Sequence, residues 1–133
     1  MERFIHEYDS VIMELIIDVT VYKNDQRRTV KALIDTGCNK TSVSPKLARE
    51  MGLRAIAQKD MRDMSNHIYH SPMYEVALTI GDNIHLPVGK IVEFPFKTDK
   101  YDIVIGMDIL SLCDFIVTNC GGHTKLTIIS NLH

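Results

Sequence analysis

The chain has 133 residues, a formal charge of −2 at pH 7, 45% hydrophobic residues and 24% charged ones. That length supports one sizeable core but hardly two, so a single domain over residues 1–133 is expected. Charges of both signs are spread without blocks, leaving no electrostatic footprint for nucleic acid or an anionic membrane, and neither is expected as a partner.

Glu2, Arg3, His6, Glu7 and Asp9 precede the first apolar run, so the N-terminus does not read as a signal peptide. That run, Val11 to Val19, is broken by Glu14 and Asp18 and is too short and too charged to span a bilayer. Its loose alternation continues to Tyr22 and predicts a strand. Lys23-Asn24-Asp25-Gln26 then turns the chain into a second strand from Arg28 to Ile34, a hairpin signal.

The second arm ends abruptly in Asp35-Thr36-Gly37, a tripeptide that occurs once in the chain. Leu33 and Ile34 place Asp35 next to buried surface, where a carboxylate is costly unless backbone N–H groups bond its oxygens. Gly37 can take the tight turn that supplies those donors. Thr36 offers a hydroxyl that can bond inward and hold two such loops together. Taken alone, the tripeptide also fits a plain strand exit with an Asx-turn.

Thr41-Ser42-Val43 follows as a short strand, and Ser44 and Pro45 are the N-cap and first position of a helix over Lys46–Met51, stopped by Gly52. After Leu53 the pattern returns to strand, with Tyr74, Val76, Leu78 and Ile80 alternating against Glu75, Ala77 and Thr79. Gly81-Asp82-Asn83 is a hairpin turn. Ile84–Phe96 and Tyr101–Ile105 read as strands and Met107–Cys113 as a short helix. Phe115–Val117 pairs with Leu126–Ile129 across Asn119-Cys120-Gly121-Gly122. The pattern predicts a mostly β chain with two small helices, a small β barrel or folded sheet.

Two segments carry a stronger signal together than either does alone. Ala32-Leu33-Ile34-Asp35-Thr36-Gly37 and the apolar element Val104-Ile105-Gly106, in that order and with room for a hairpin between them, resemble the retropepsin-like aspartic proteases. The resemblance implies a closed or folded β barrel, one lobe per chain, working as a homodimer on an extended peptide or protein substrate. It assigns Asp35 as the catalytic residue, Thr36 and Gly37 as support for its loop, and Val104, Ile105 and Gly106 as the second motif. The mechanism it implies uses water between two carboxylates and needs no metal or cofactor. One Asp-Thr-Gly per chain supplies only one of the two carboxylates, so the site is expected on the twofold axis of the homodimer.

A flap is expected over residues 60–71, with Ser65, Asn66 and His67 at its tip. No glycine lies between Gly52 and Gly81, unlike the glycine-rich flap tips of retroviral relatives, and Asn66 is expected to take the positive φ that glycine would. Tyr69 is expected to pack on the sheet rather than orient substrate. Met107 stands where retroviral enzymes have an arginine, and Asn39 and Lys40 where they have an acidic pair. Asp108 is read as a helix cap rather than a second catalytic acid.

Cys38 is a small buried hydrophobe on one reading and a redox brake on the other; the first is preferred because free cysteines are usually buried and inert. The three cysteines, Cys38, Cys113 and Cys120, form no disulfide framework and point to a reducing, cytoplasmic setting. A zinc site from Cys113, Cys120, His123, His67 and His70 is disfavoured by spacing, since no Cys-x-x-Cys pair exists. A rival that keeps the fold is a silent module that binds a peptide or dimerises without cutting.

Overall fold

The computed structural model describes residues 2–131, except for the side chain of Val88. The strands are β1 (Arg3–Glu7), β2 (Ile16–Lys23), β3 (Gln26–Ile34), β4 (Ser42–Val43), β5 (Ala57–Arg62), β6 (Ile68–Ile80), β7 (Ile84–Glu93), β8 (Ile103–Ile105), β9 (Cys113–Thr118) and β10 (Lys125–Ser130). Two short helices, α1 (Pro45–Glu50) and α2 (Met107–Leu110), interrupt them.

Six strands run side by side in the order β2-β3-β8-β4-β7-β6, and β6 pairs back onto β2 to close a barrel. Closure removes the free edges that an open sheet of this size would expose. β5 pairs only with β6, so the β5–β6 hairpin projects from the barrel. β1, β10 and β9 form a separate antiparallel sheet. Leu126 and Ile128 of β10 are buried in the same cluster as Val19, Ile80, Ile103 and Ile105, so this sheet and the barrel share one core. Each such side chain contributes roughly 1.5–3 kcal/mol on burial.

The turns follow from their residues. Lys23 pairs with Gln26 across a two-residue loop in which Asn24 takes φ 53°. Ser44 Oγ accepts from Leu47 N at 3.0 Å and caps α1, while Gly52, at φ 61°, ends the helix turn. Gly81 also lies at φ 61°, and a Cβ there would sit 2.7 Å from the Phe4 ring, so glycine is required by both the turn and the packing of β1.

Several boundaries differ from the sequence pattern. The strand expected from Val11 starts at Ile16; residues 11–15 form a loop pinned by Ile12 N donating to Thr124 Oγ1 and Tyr8 OH donating to the Ile16 carbonyl. The helix expected over Met107–Cys113 stops at Leu110, because Cys113 is buried and pairs with Ser130 as the first residue of β9. The strand expected to reach Phe96 ends at Glu93, two residues before Pro95. β1 was not expected: its residues are mostly exposed and polar, and only Phe4 turns inward.

Candidate active site

Asp35 sits where β3 leaves the barrel. β3 and β8 are parallel neighbours with Ile34 opposite Ile105, and Asp35 N donates to the Ile105 carbonyl at 2.9 Å. This bond ties the first motif to the second at the first residue of the loop. Gly37 N then donates to Asp35 Oδ1 at 2.9 Å, and Cys38 N to the Asp35 carbonyl at 3.2 Å. A Cβ on Gly37 would come 3.2 Å from Asp35 Oδ1, so glycine lets the amide approach the carboxylate closely. The other carboxylate oxygen, Oδ2, makes no hydrogen bond among the described residues. The Thr36 side chain is exposed and likewise unpaired among them.

Gly106 supports the loop from behind. A Cβ there would lie 2.8 Å from the Cys38 carbonyl oxygen and 2.9 Å from the Lys40 carbonyl group, all backbone. Nothing in that contact can swing aside. Met107 N donates to Cys38 O at 2.7 Å and Asp108 N to Asn39 O at 3.2 Å, so the loop after Asp35 is stitched to the start of α2.

The fully buried Thr41 completes the join. Its Oγ1 donates to Asp108 Oδ1 at 2.7 Å and accepts from Gly106 N at 3.1 Å, while its own N donates to Asp108 Oδ2 at 3.0 Å. Asp108 is therefore not the N-cap of α2, as the sequence suggested. Gly106 holds that position, and the carboxylate is spent instead on Thr41 and on Ile109 N. Thr41 and Asp108 are 67 residues apart, so no local pattern announces the pair.

Of the second motif, Val104 faces the cleft, whereas Ile105 is core and Gly106 is the backbone contact just described. The cleft above Asp35 encloses about 570 Å³. Asp35, Gly37, Leu33 and Val104 line it together with Phe94, Phe96 and Tyr101. Burial pushes the Tyr101 phenol up, and the negative charges of Glu14 and Asp35 add to the shift, so it stays a neutral donor. Cys38 also lines the cleft, and its thiol is pushed up by burial first and by Asp35 and Asp108 after that. Cys38 is thus not the buried hydrophobe the sequence suggested but a partly exposed thiol on the cleft, while its raised thiol forms less thiolate.

The β5–β6 hairpin adds Met61, Arg62, Asp63, Met64 and Tyr69 to the lining of the cleft. The loop at its tip runs from Asp63 to His67 and turns at Met64 and Ser65, with Asn66 N donating to the Asp63 carbonyl at 3.0 Å. The expected tip of Ser65, Asn66 and His67 is thus shifted by one residue toward Met64, and Asn66 takes φ 66° as a glycine would. Asp63 organises that turn. Its Oδ1 accepts from Ser65 N, Ser65 Oγ and His67 N at 2.9, 2.8 and 2.8 Å, and its Oδ2 from Tyr69 OH at 2.8 Å. Arg62 donates to Asn66 Oδ1 at 2.7 Å beside it. These bonds, led by Ser65, hold the Asp63 carboxyl down at about 2, from an ordinary 3.8. Sequence reasoning missed Asp63; the Asp-x-Ser pattern three residues before Asn66 was the available signal. Tyr69 serves the hairpin through its hydroxyl as well as by packing.

Among the described residues no group of three or more His, Cys, Asp or Glu side chains converges on a metal position. No helix among them is long and apolar enough to cross a membrane.

These features belong to a known class. The aspartyl protease family model matches residues 17–109, most of the chain and both motifs, and the chain belongs to that family. Its fold is that of the retropepsin-like members. A retropepsin-like aspartic protease from Rickettsia conorii superposes with a TM-score of 0.61 over 98% of both chains at 14% identity. The retroviral protease-like domain of Ddi1 from Leishmania major gives 0.48 over 88% of this chain and 90% of that one, at 17% identity. A Legionella pneumophila protein of unknown function gives 0.47 over 72% and 83%, at 16% identity. No curated protein matches the chain.

Two predictions follow from the loop and the hairpin. Thr41→Val keeps the shape but leaves Gly106 N without its acceptor and removes one of the three bonds to the Asp108 carboxylate, and should cost about 1–3 kcal/mol in a denaturant melt. Asp63 accepts its four bonds more strongly as the carboxylate than as the acid, so this contribution is complete above pH 3.8 and lost as the pH falls through about 2. In an NMR titration the amides of Ser65 and His67 should move together with a midpoint near 2, and Asp63→Ala should abolish the transition. A midpoint near 4 would contradict the hydrogen-bonded hub.

Proposed function

We propose that the protein is an aspartic endopeptidase that acts as a symmetric homodimer, with Asp35 of each subunit forming the catalytic pair. The observation that carries this reading is the Asp35 carboxylate itself. One oxygen is fixed by Gly37 N and the other is left unpaired on a cleft large enough for a peptide. Family membership and the retropepsin-like fold point the same way.

Two such carboxylates within hydrogen-bond reach cannot both ionise easily, and they share one proton. The ionised member takes a proton from water as its oxygen attacks the scissile carbonyl, and the protonated member donates to the carbonyl oxygen. The tetrahedral diol collapses with cleavage of the C–N bond as a proton passes to the departing nitrogen. Water is the nucleophile, so no acyl-enzyme forms. The β5–β6 hairpin, whose tip loop runs from Asp63 to His67, is the flap that covers an extended peptide. The exposed Thr36 is placed to bond to the opposite loop across the twofold axis.

A free sheet edge supports the pairing of two copies. Among the described residues β9 is bonded to β10 on one side only, and Ile116 and Val117 on it are 50% and 42% exposed. β1, the other edge of that sheet, carries Arg3, His6 and Glu7 and is protected by charge, whereas the outer half of β9 is apolar. α2 joins Gly106 to β9 within a few residues, so a partner on this edge stands close to the Asp35 loop.

Asp35→Asn should cut peptides about a thousandfold more slowly than the wild type while keeping its fold and its dimer. Equal cleavage by both would sink the proposal, and tight peptide binding by a wild type that never cuts would favour a silent binding module. Val117→Lys on the β9 edge should yield a monomer in sedimentation with cleavage lost. A monomer that stays fully active cannot be reconciled with one Asp35 per chain.

A further inference from the structure

The cleft contains a carboxylate that the proposed chemistry does not use. Glu93 is the last residue of β7 and is partly shielded from solvent where it lines the cleft. Its position is set by β6: Tyr74 stands opposite Ile91, which makes Glu93 the diagonal neighbour of Tyr74 two residues on. The buried Tyr74 donates its hydroxyl to Glu93 Oε1 at 2.9 Å. Burial, and then the bond and charge of Glu93, push the Tyr74 phenol up to about 12, so Tyr74 stays a neutral hydroxyl donor at any physiological pH.

The second oxygen, Oε2, makes no hydrogen bond among the described residues. Two cations share the cleft, and neither neutralises it. Arg62 is bonded to Asn66 Oδ1, and Lys40 forms no ion pair with Glu93 among the described residues. The walls beside Glu93 are apolar and aromatic. Val92, Phe94, Pro95, Phe96 and Tyr101 line the same cleft, with the Phe94 and Phe96 rings stacked at 4.4 Å and Tyr101 set edge-on to both.

An anchored carboxylate at an aromatic wall suits one kind of side chain. Lysine and arginine bury an aliphatic stem along apolar surface and carry a cation at its end, and arginine stacks on aromatic faces besides. An acidic side chain would be repelled by Glu93, and a purely apolar one would cover the carboxylate without replacing its water.

We propose that Glu93, positioned by Tyr74, is a specificity determinant that selects a lysine or arginine side chain at one position of the bound peptide. The inference rests on the reading of this cleft as a peptide site, but not on cleavage.

The test therefore separates binding from catalysis. Full-length Asp35→Asn protein, with and without Glu93→Gln, is titrated with synthetic peptides carrying Lys, Arg, Gln, Met or Glu at each position in turn. At one position Lys and Arg should bind about tenfold more tightly than Gln, and Glu93→Gln should erase that preference while leaving Met and Gln peptides unchanged. Glu93→Lys should transfer the preference to Glu. The proposal is overturned if no position favours a basic residue, if Glu93→Gln keeps the preference, if it weakens all peptides equally as a structural lesion would, or if no peptide binds. A Glu93-dependent basic preference in a protein whose Asp35 form cuts nothing would leave this inference standing and defeat the catalytic one.

Discussion

The site depends on one close approach, that of Gly106 to the backbone of residues 38–40. A Cβ at Gly106 would lie 2.8–2.9 Å from three backbone atoms, so the strand that ends there can meet the Asp35 loop only as glycine. That contact lets Met107 N, Asp108 N and Gly106 N reach the loop at hydrogen-bond distance. It also brings Ile105 O to Asp35 N, which sets where the carboxylate leaves the barrel. The parallel pairing of β3 with β8 and the buried Thr41–Asp108 pair reinforce the same join from two sides. The proposed catalytic role, in which Asp35 acts through its one free oxygen, needs this rigidity, because a small misplacement would remove it from a shared proton or a scissile carbonyl.

The hairpin solves a different problem with different chemistry. A tip built on glycine gains its turn from backbone freedom and loses order for the same reason. Here Asn66 takes the positive φ, and the Asp63 carboxylate gathers Ser65, His67 and Tyr69 around one centre. Such a tip is preorganised by hydrogen bonds, so less ordering remains to be done on closure. The low value of Asp63, about 2, extends that order into acid.

The legible parts of the molecule were those whose cause is local. Asp35-Thr36-Gly37 and Val104-Ile105-Gly106 are contiguous, and the turns at Asn24, Gly81 and Gly121 are named by their own residues. Asn66 was legible because few residues other than glycine and Asn tolerate its backbone angle. What escaped was cooperative. β1 is polar and exposed, held by its register on β10 and by one ring over Gly81, and no periodicity within five residues could reveal that. Thr41 and Asp108 meet across 67 residues, and Tyr74 and Glu93 across a strand pair with a bulge between them and the turn. Asp108 was misjudged because a carboxylate in a first helical turn reads as a cap, whereas two of its three donors here belong to another segment, at Thr41.

One carboxylate per chain also has a thermodynamic consequence for the proposed dimer. In that dimer two Asp35 carboxylates brought within hydrogen-bond reach would share a proton, because like charges that close repel. Assembly is then coupled to proton uptake, and linkage requires the subunits to associate more tightly as the pH falls through the range where the pair takes its proton. In the proposed dimer the apolar edge of β9 would contribute an attraction that does not depend on pH, and the Asp35 pair one that does. On that reading association and activation share a variable, so a single Asp-Thr-Gly per chain would make the assembly step itself responsive to acidity.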